Sequence, residues 1–307
     1  MAARLRRRTL LVGAGVAAAV AADLAFELAG AGVLVYAPNA GRAVEGEPDP
    51  LPPGVEGRAL RVAVGPPRAS LALWVLGPPA ARGTVFLLHG IRDRKRSMLG
   101  WGGRLAAHGY RAVLVDHRGQ GASSGDYLTY GVLEARDLAQ ALDALRAEGL
   151  AAGRVGALGV SYGAATAIEW AGRDARVDAV VAVAPFASLR AVVPSYVALF
   201  APGVGRLVPD ALLGRAIARG GSIAGFDPDA ASPLDAIGRT RAPVLLVHGR
   251  DDRHIPPSHS EALRARAAGP AELALLDGED HASIGADRSG RLWAQAQAWL
   301  DRWVGGG

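Results

Sequence analysis

Arg154-Val155-Gly156-Ala157-Leu158-Gly159-Val160-Ser161-Tyr162-Gly163-Ala164 is the stretch whose reading decides the fold. Arg154 to Leu158 is a short apolar run that reads as a strand. The residues from Ala164 onward read as a helix, and Gly159 to Gly163 makes a G-x-S-x-G turn between them. Small residues on both sides permit a sharp strand-to-helix turn, which pushes the serine outward at the carboxyl end of a sheet. The next N–H then stands at a helix N-terminus, where it can meet negative charge developing on an oxygen. In a chain with 41 glycines the five residues alone amount to a glycine-rich turn that holds a serine, so the surrounding sequence must decide.

Around the turn, strand-length apolar runs alternate with helical patterns. Ala59 to Val64 and Leu71 to Leu76 are split by Gly65-Pro66-Pro67 and read as a hairpin. Further runs lie at Thr84 to Leu88, Arg111 to Val115, Ala179 to Val183, Val244 to Val247 and Ala271 to Leu275, which with the turn's own strand makes eight. Continuous apolar runs suit strands buried on both faces. Helices are expected at Ser97 to His108, Val132 to Glu148, Ala164 to Ala171, Ser258 to Ala268 and Ser289 to Trp303. The alternation predicts an α/β domain with a mostly parallel sheet and helices on both faces. Phe186 to Arg241 breaks the rhythm with two predicted helices, Leu189 to Phe200 and Asp210 to Ala218. So long an excursion predicts a small helical cap above the carboxyl edge of the sheet, over Ser161. Its apolar residues Val192, Val193, Tyr196, Leu199 and Phe200 either form an acyl pocket or pack the cap onto the core.

A serine hydroxyl is a poor nucleophile without a base, and the base needs an orienting acid. Beside such a turn the expected chain order is serine, acid, histidine. Val244 to Val247 runs into His248-Gly249-Arg250-Asp251-Asp252, and the last apolar strand into Asp277-Gly278-Glu279-Asp280-His281. Both loops fall just past carboxyl ends of strands, on the edge that carries Ser161. Asp252 is preferred to Asp251 as the acid, and His281 to His254 and His259 as the base. The loop after Thr84 to Leu88 reads His89-Gly90-Ile91-Arg92, so the backbone N–H groups of Ile91 and Tyr162 are the expected oxyanion donors, with His89 shaping the loop.

These pieces, with Asp116-His117-Arg118-Gly119-Gln120-Gly121-Ala122-Ser123-Ser124-Gly125 and Ser232-Pro233-Leu234, stand in an order that resembles α/β-hydrolase-fold serine hydrolases over residues 58 to 304. Within that group the chain resembles serine aminopeptidase-like and prolyl-oligopeptidase-like enzymes, many of which carry an N-terminal membrane segment. The resemblance implies Ser161 as nucleophile, Asp252 as orienting acid, His281 as base, and Ile91 and Tyr162 as oxyanion donors. It marks Asp116 to Gly125 as a signature that shapes the site. The implied reaction is acyl transfer to water, on an ester or thioester, with a peptide bond as the alternative and no cofactor or metal. A binding protein that has lost catalysis would usually lack one of the three residues, and an acyltransferase would need the cap to exclude water.

Composition narrows the rest. The chain has 307 residues, half of them hydrophobic, enough for one α/β domain and an extension. The formal charge of +5 rests on arginines scattered among acids (Lys95 is the only lysine), so no nucleic-acid partner is expected. No cysteine is present, which excludes disulfides and cysteine nucleophiles. Arg4 to Arg8 precede an apolar stretch from Thr9 to about Pro38, interrupted only by Asp23 and Glu27. Residues 1–38 are therefore expected to be a signal anchor that leaves the hydrolase domain on the extracytoplasmic side. The rivals are a cleaved signal, with Ala19-Val20-Ala21 as the site, and an amphipathic helix that covers the domain. Residues 39–57 read as a linker, and deletion of 1–38 is expected to leave a soluble, active domain.

Overall fold

Apolar residues at alternate positions of each inner strand feed two separate cores, and that period of two decides the architecture. In the strand Thr84–Leu88, Phe86 and Leu88 join one core while Val85 and Leu87 join the other. Arg111–Val115 divides in the same way, Val113 and Val115 against Ala112 and Leu114. A strand so divided must be covered on both faces. The computed structural model describes residues 21, 23–36, 46–48, 50–51, 53–203 and 205–306.

Eight strands form one sheet: β1 (Gly57–Val64), β2 (Ala69–Leu76), β3 (Thr84–Leu88), β4 (Arg111–Val115), β5 (Val155–Val160), β6 (Val177–Val183), β7 (Val244–Gly249) and β8 (Ala271–Leu276). Their order is β1-β2-β4-β3-β5-β6-β7-β8. β1 and β2 pair antiparallel, as does β2 with β4, and the other pairings are parallel. The expected mostly parallel eight-stranded sheet is therefore present. Strand order reverses around β3 and β5, so the loops after these strands open side by side at the carboxyl edge.

Helices α3 (Val132–Ala147), α4 (Tyr162–Ala171), α7 (Pro233–Ile237) and α8 (Ser258–Arg266) cover one face. There Phe86 meets Trp170 edge-on, with ring centroids 4.9 Å apart. Helices α2 (Leu99–Ala107), α9 (Ser283–Ala286) and α10 (Arg291–Trp303) cover the other. Each large apolar side chain fully buried in these layers contributes about 1.5–3 kcal/mol. The cap holds α5 (Leu189–Phe200) and α6 (Asp210–Ala224), which pack on a third cluster around Leu128, Tyr130, Tyr162 and Phe186. α6 runs six residues beyond its expected end at Ala218, through Gly220 and Gly221. The short helices α7 and α9 were not anticipated; α7 starts on Ser232, whose hydroxyl accepts from the Asp235 N–H at 3.2 Å.

Most of the expected membrane segment lies outside the described residues. Within it, residues 23–35 form a helix, α1, laid on the α/β domain. Ala31 and Val35 are buried, and Asp23 and Glu27 both face Arg215 of α6. Tyr36 then makes an antiparallel bridge with Tyr127. The described part of the segment thus follows the reading of a helix covering the domain. Among the described residues no helix is long and apolar enough to cross a membrane.

Candidate active site

Ser161 sits between β5 and α4 with φ 54° and ψ −113°, a conformation that non-glycine residues rarely adopt. Its backbone is held from both sides: its N–H donates to the Val183 carbonyl at 2.8 Å, and its carbonyl accepts from the Ala165 N–H at 3.0 Å. The flanking glycines are required by contact. A Cβ on Gly159 would stand 2.2 Å from the Gly163 carbonyl oxygen, and one on Gly163 would stand 2.2 Å from that of Leu88. The turn is therefore pressed against the end of β3, and Gly90 comes close enough that a Cβ there would be 3.9 Å from that of Ser161.

The structure brings Ser161, His281 and Asp252 into one hydrogen-bonded chain. The Ser161 hydroxyl lies 3.0 Å from His281 Nε2, and His281 Nδ1 lies 2.6 Å from Asp252 Oδ2. A hydroxyl donating to Nε2 and an Nδ1–H donating to the carboxylate satisfy both bonds with one neutral tautomer. Asp252 is buried, and its Oδ1 accepts from the N–H groups of His254 at 2.9 Å and Ile255 at 2.8 Å. Burial alone would raise its pKa. Hydrogen bonds from His248 and His281, the charge of His281 and the Ile255 N–H outweigh it and hold the carboxyl well below the ordinary carboxylate range. Asp251 is exposed, with its N–H on the Glu279 carbonyl at 3.1 Å.

The other histidines hold the frame. His248 is buried beneath Asp252, 2.8 Å from the Ile255 carbonyl and 2.7 Å from the Ser260 hydroxyl. His259 accepts from the Ala187 N–H at 3.1 Å, and burial lowers its pKa. His254 stacks on His281, with centroids 5.1 Å apart at 25°. His89 lies 2.7 Å through Nδ1 from the Gly90 carbonyl and accepts from the His117 N–H at 3.3 Å. Burial lowers the pKa of both His89 and His117, so they remain neutral.

Ile91 and Tyr162, the expected donors, belong to the two segments that meet at Ser161. The Arg92 N–H donates to Gln120 Oε1, which ties the Ile91 turn to the Asp116 to Gly125 segment. Asp116 anchors that segment by accepting from Lys95 Nζ at 2.7 Å and from the Ala122 N–H at 2.8 Å. The Tyr162 hydroxyl donates to Glu134 at 2.7 Å. Sequence reasoning missed one polar group. Tyr196, named only for its apolar bulk, comes down from α5, and its hydroxyl interacts with the Ser161 side chain. Burial raises its pKa, while the bond to Ser161 acts in the opposite direction. No short sequence pattern marks such a residue, because α5 is placed by tertiary packing. Val192 and Val193 are buried and pack the cap onto the core, whereas Tyr196 and Leu199 are half-buried; the Phe200 side chain lies outside the described residues. Among the described residues no cluster of three or more His, Asp or Glu side chains is arranged to hold a metal ion.

Residues 79–225 match a family model described as "Serine aminopeptidase, S33", and residues 216–307 one described as "Prolyl oligopeptidase family". The uncharacterized Bacillus subtilis protein YqkD is 29% identical over 209 residues, 67% of each chain. Among solved structures, the Pyrococcus furiosus esterase Pf2001 superposes with a TM-score of 0.67 at 20% identity, covering 88% of this chain and 98% of its own. An acylaminoacyl peptidase of Pyrococcus horikoshii superposes with a TM-score of 0.62 at 18% identity, covering 82% of this chain and 42% of its own. The chain has the α/β-hydrolase fold, and its similarities run to hydrolases of both the esterase and the peptidase kind.

Proposed function

We propose that the protein is a serine hydrolase that cleaves a carboxylic ester or thioester through an acyl-Ser161 intermediate. The observation that carries this reading is the unbroken hydrogen-bonded chain from the Ser161 hydroxyl through His281 to Asp252. In the proposed reaction Ser161 Oγ attacks the acyl carbonyl as His281 Nε2 takes its proton. The tetrahedral oxyanion is met by the Ile91 and Tyr162 N–H groups. Collapse expels the alcohol or thiol, which takes the proton back from His281. Water then repeats the sequence on the acyl-enzyme, releasing the acid and restoring the serine. Asp252 keeps the imidazole in the required tautomer and offsets its charge when protonated.

A peptidase reading uses the same groups, and both matched family models favour it by description. The first experiment is reaction with a fluorophosphonate probe followed by peptide mapping. Modification at Ser161, absent in a folded Ser161→Ala variant, supports the reading; a folded protein that does not react removes it. Panels of esters, thioesters and aminoacyl amides then separate esterase from peptidase.

We further propose that the N-terminal segment anchors the protein to a membrane with the hydrolase domain on the extracytoplasmic side. Support comes from the Arg4 to Arg8 cluster ahead of an apolar stretch. The large apolar side chains that stand exposed among the described residues, Leu24, Leu28, Val33, Tyr36 and Leu207, all lie on α1, just after it or on the cap. Protease accessibility in spheroplasts tests the orientation: protection of the domain before lysis would reverse it.

A further inference from the structure

We propose that α1 is a working part of the active site, a positioning element that holds both oxyanion segments in place through Arg92 and Tyr130. The proposal rests on the reading of Ser161 as nucleophile with Ile91 and Tyr162 as donors.

The last carbonyls of a helix have no partner within it. In α1 the Gly32 carbonyl accepts from the Tyr36 N–H at 3.0 Å, and the three that follow are taken by the rest of the domain. The Arg92 guanidinium donates to the Val33 carbonyl, the Tyr130 hydroxyl to that of Leu34 at 2.8 Å, and the Leu128 N–H to that of Val35 at 2.8 Å. Two of these bonds lead straight to the nucleophile.

Arg92 follows Ile91 in the chain, with φ 58°. That backbone conformation is uncommon for a side chain of this size. It is held at both ends, the N–H by Gln120 and the guanidinium by α1. On the other side, Tyr130 is buried, with its hydroxyl on α1 and its backbone N–H donating to the Tyr162 hydroxyl at 3.0 Å. The Tyr130 and Tyr162 rings lie 5.5 Å apart, and Glu134 fixes the Tyr162 hydroxyl from the far side. One path therefore runs from Val33 through Arg92 to Ile91, and another from Leu34 through Tyr130 to Tyr162.

α1 is itself made fast to the cap. Asp23 and Glu27 pair with Arg215, and Gly220 of α6 lies so close that a Cβ there would be 3.1 Å from Val35 Cγ1. A simple tether would need none of these contacts. Oxyanion donors act by being already in place when charge develops, so an element that fixes their backbone acts on the rate and not on substrate binding.

The test uses the full chain and a soluble aryl ester that it turns over. Tyr130→Phe removes the hydroxyl but keeps the N–H that meets Tyr162, and Arg92→Ala removes the other link. Each is expected to lower kcat about tenfold with KM and Tm nearly unchanged, a fraction of the 10²–10³-fold that loss of a donor itself costs. Affinity for an aryl trifluoromethyl ketone, which forms a tetrahedral adduct with the serine, should fall by the same factor. Arg92→Lys, which keeps a donor, should recover most of the loss. Full kcat in both Tyr130→Phe and Arg92→Ala would overturn the proposal. So would a loss that follows Tm and disappears on cooling, because that is the signature of a merely structural helix. A wild-type protein that neither reacts with a fluorophosphonate nor turns over any acyl substrate would remove the underlying reading of Ser161 as well.

Discussion

Asp251 and Asp252 are neighbours in sequence and opposites in environment. Asp252 is buried with four hydrogen-bond or charge partners and Asp251 is exposed, so the two isosteric amide variants should differ sharply. Asp252→Asn is expected to lower kcat by about 10³–10⁴-fold, because an amide no longer enforces the tautomer that accepts the serine proton. Asp251→Asn should stay within about threefold. Steady-state kinetics on one ester decides it, and the reverse ranking would exchange their roles. The pKa shift adds a sign. A carboxyl whose folded pKa is depressed contributes stability that is present above its unfolded value of about 3.9 and is lost as pH falls toward the folded value. Wild-type Tm should therefore fall below about pH 4 more steeply than that of Asp252→Asn, while between pH 5 and 8 Asp252 stays ionised and contributes no slope. Tyr196 is the other residue-scale case. Tyr196→Phe keeps the ring and removes only the hydroxyl beside Ser161. A net hydrogen bond is worth about 1 kcal/mol, so kcat should fall about fivefold with Tm unchanged. An unchanged kcat would leave Tyr196 as cap packing alone.

Among the elements, the nucleophile turn was legible because its chemistry is local: two small residues, a serine and a strand-to-helix junction within a dozen positions. Gly163→Ala tests how tight that junction is. Its Cβ would fall 2.2 Å from the Leu88 carbonyl oxygen, so β3 or α4 must move. A loss of about 1–3 kcal/mol in stability by urea titration, with a larger proportional loss in kcat, is expected; a variant with wild-type values would show the turn to be loose. The strands were legible for a related reason, since burial on both faces leaves an apolar run with no alternation to misread. The end of α6 was not. Gly220 and Gly221 look like helix breakers, but each is glycine for close packing: a Cβ on Gly220 would press on Val35 of α1, and one on Gly221 would fall 2.4 Å from Pro228. Val35 is far away in sequence and Pro228 lies past the end of the helix, so neither contact shows in the local helical pattern, and packing overrides the local penalty. The helix α9 is only four residues long, too short for any periodicity to appear.

At the scale of the whole molecule, α1 is where sequence and structure part. A basic cluster before an apolar stretch carries the same signal whether the chain enters a membrane or lies on its own domain. Asp23 and Glu27 find their partner Arg215 almost two hundred residues away. Two truncations divide the stretch at the point where its roles separate. A protein beginning at residue 21 keeps α1 and loses the basic cluster and most of the apolar run. It should be soluble, with a Tm within about 2 °C of the full chain and an unchanged kcat. A protein beginning at residue 39 loses α1, contrary to the expectation that everything before the linker is dispensable. It uncovers Leu128 and Tyr130, removes buried Ala31 and Val35, and leaves the partners of three carbonyls unpaired. One buried valine at about 2 kcal/mol and bonds at about 1 kcal/mol each put the loss near 3–5 kcal/mol. For a domain of this size that lowers Tm by about 10 °C. Differential scanning calorimetry and ester turnover on the same two preparations give the answer. If the shorter protein matches the longer one in both Tm and kcat, α1 adheres to the domain without supporting it. If the two diverge as expected, the folded domain starts at α1, where the first ion pair to the cap begins.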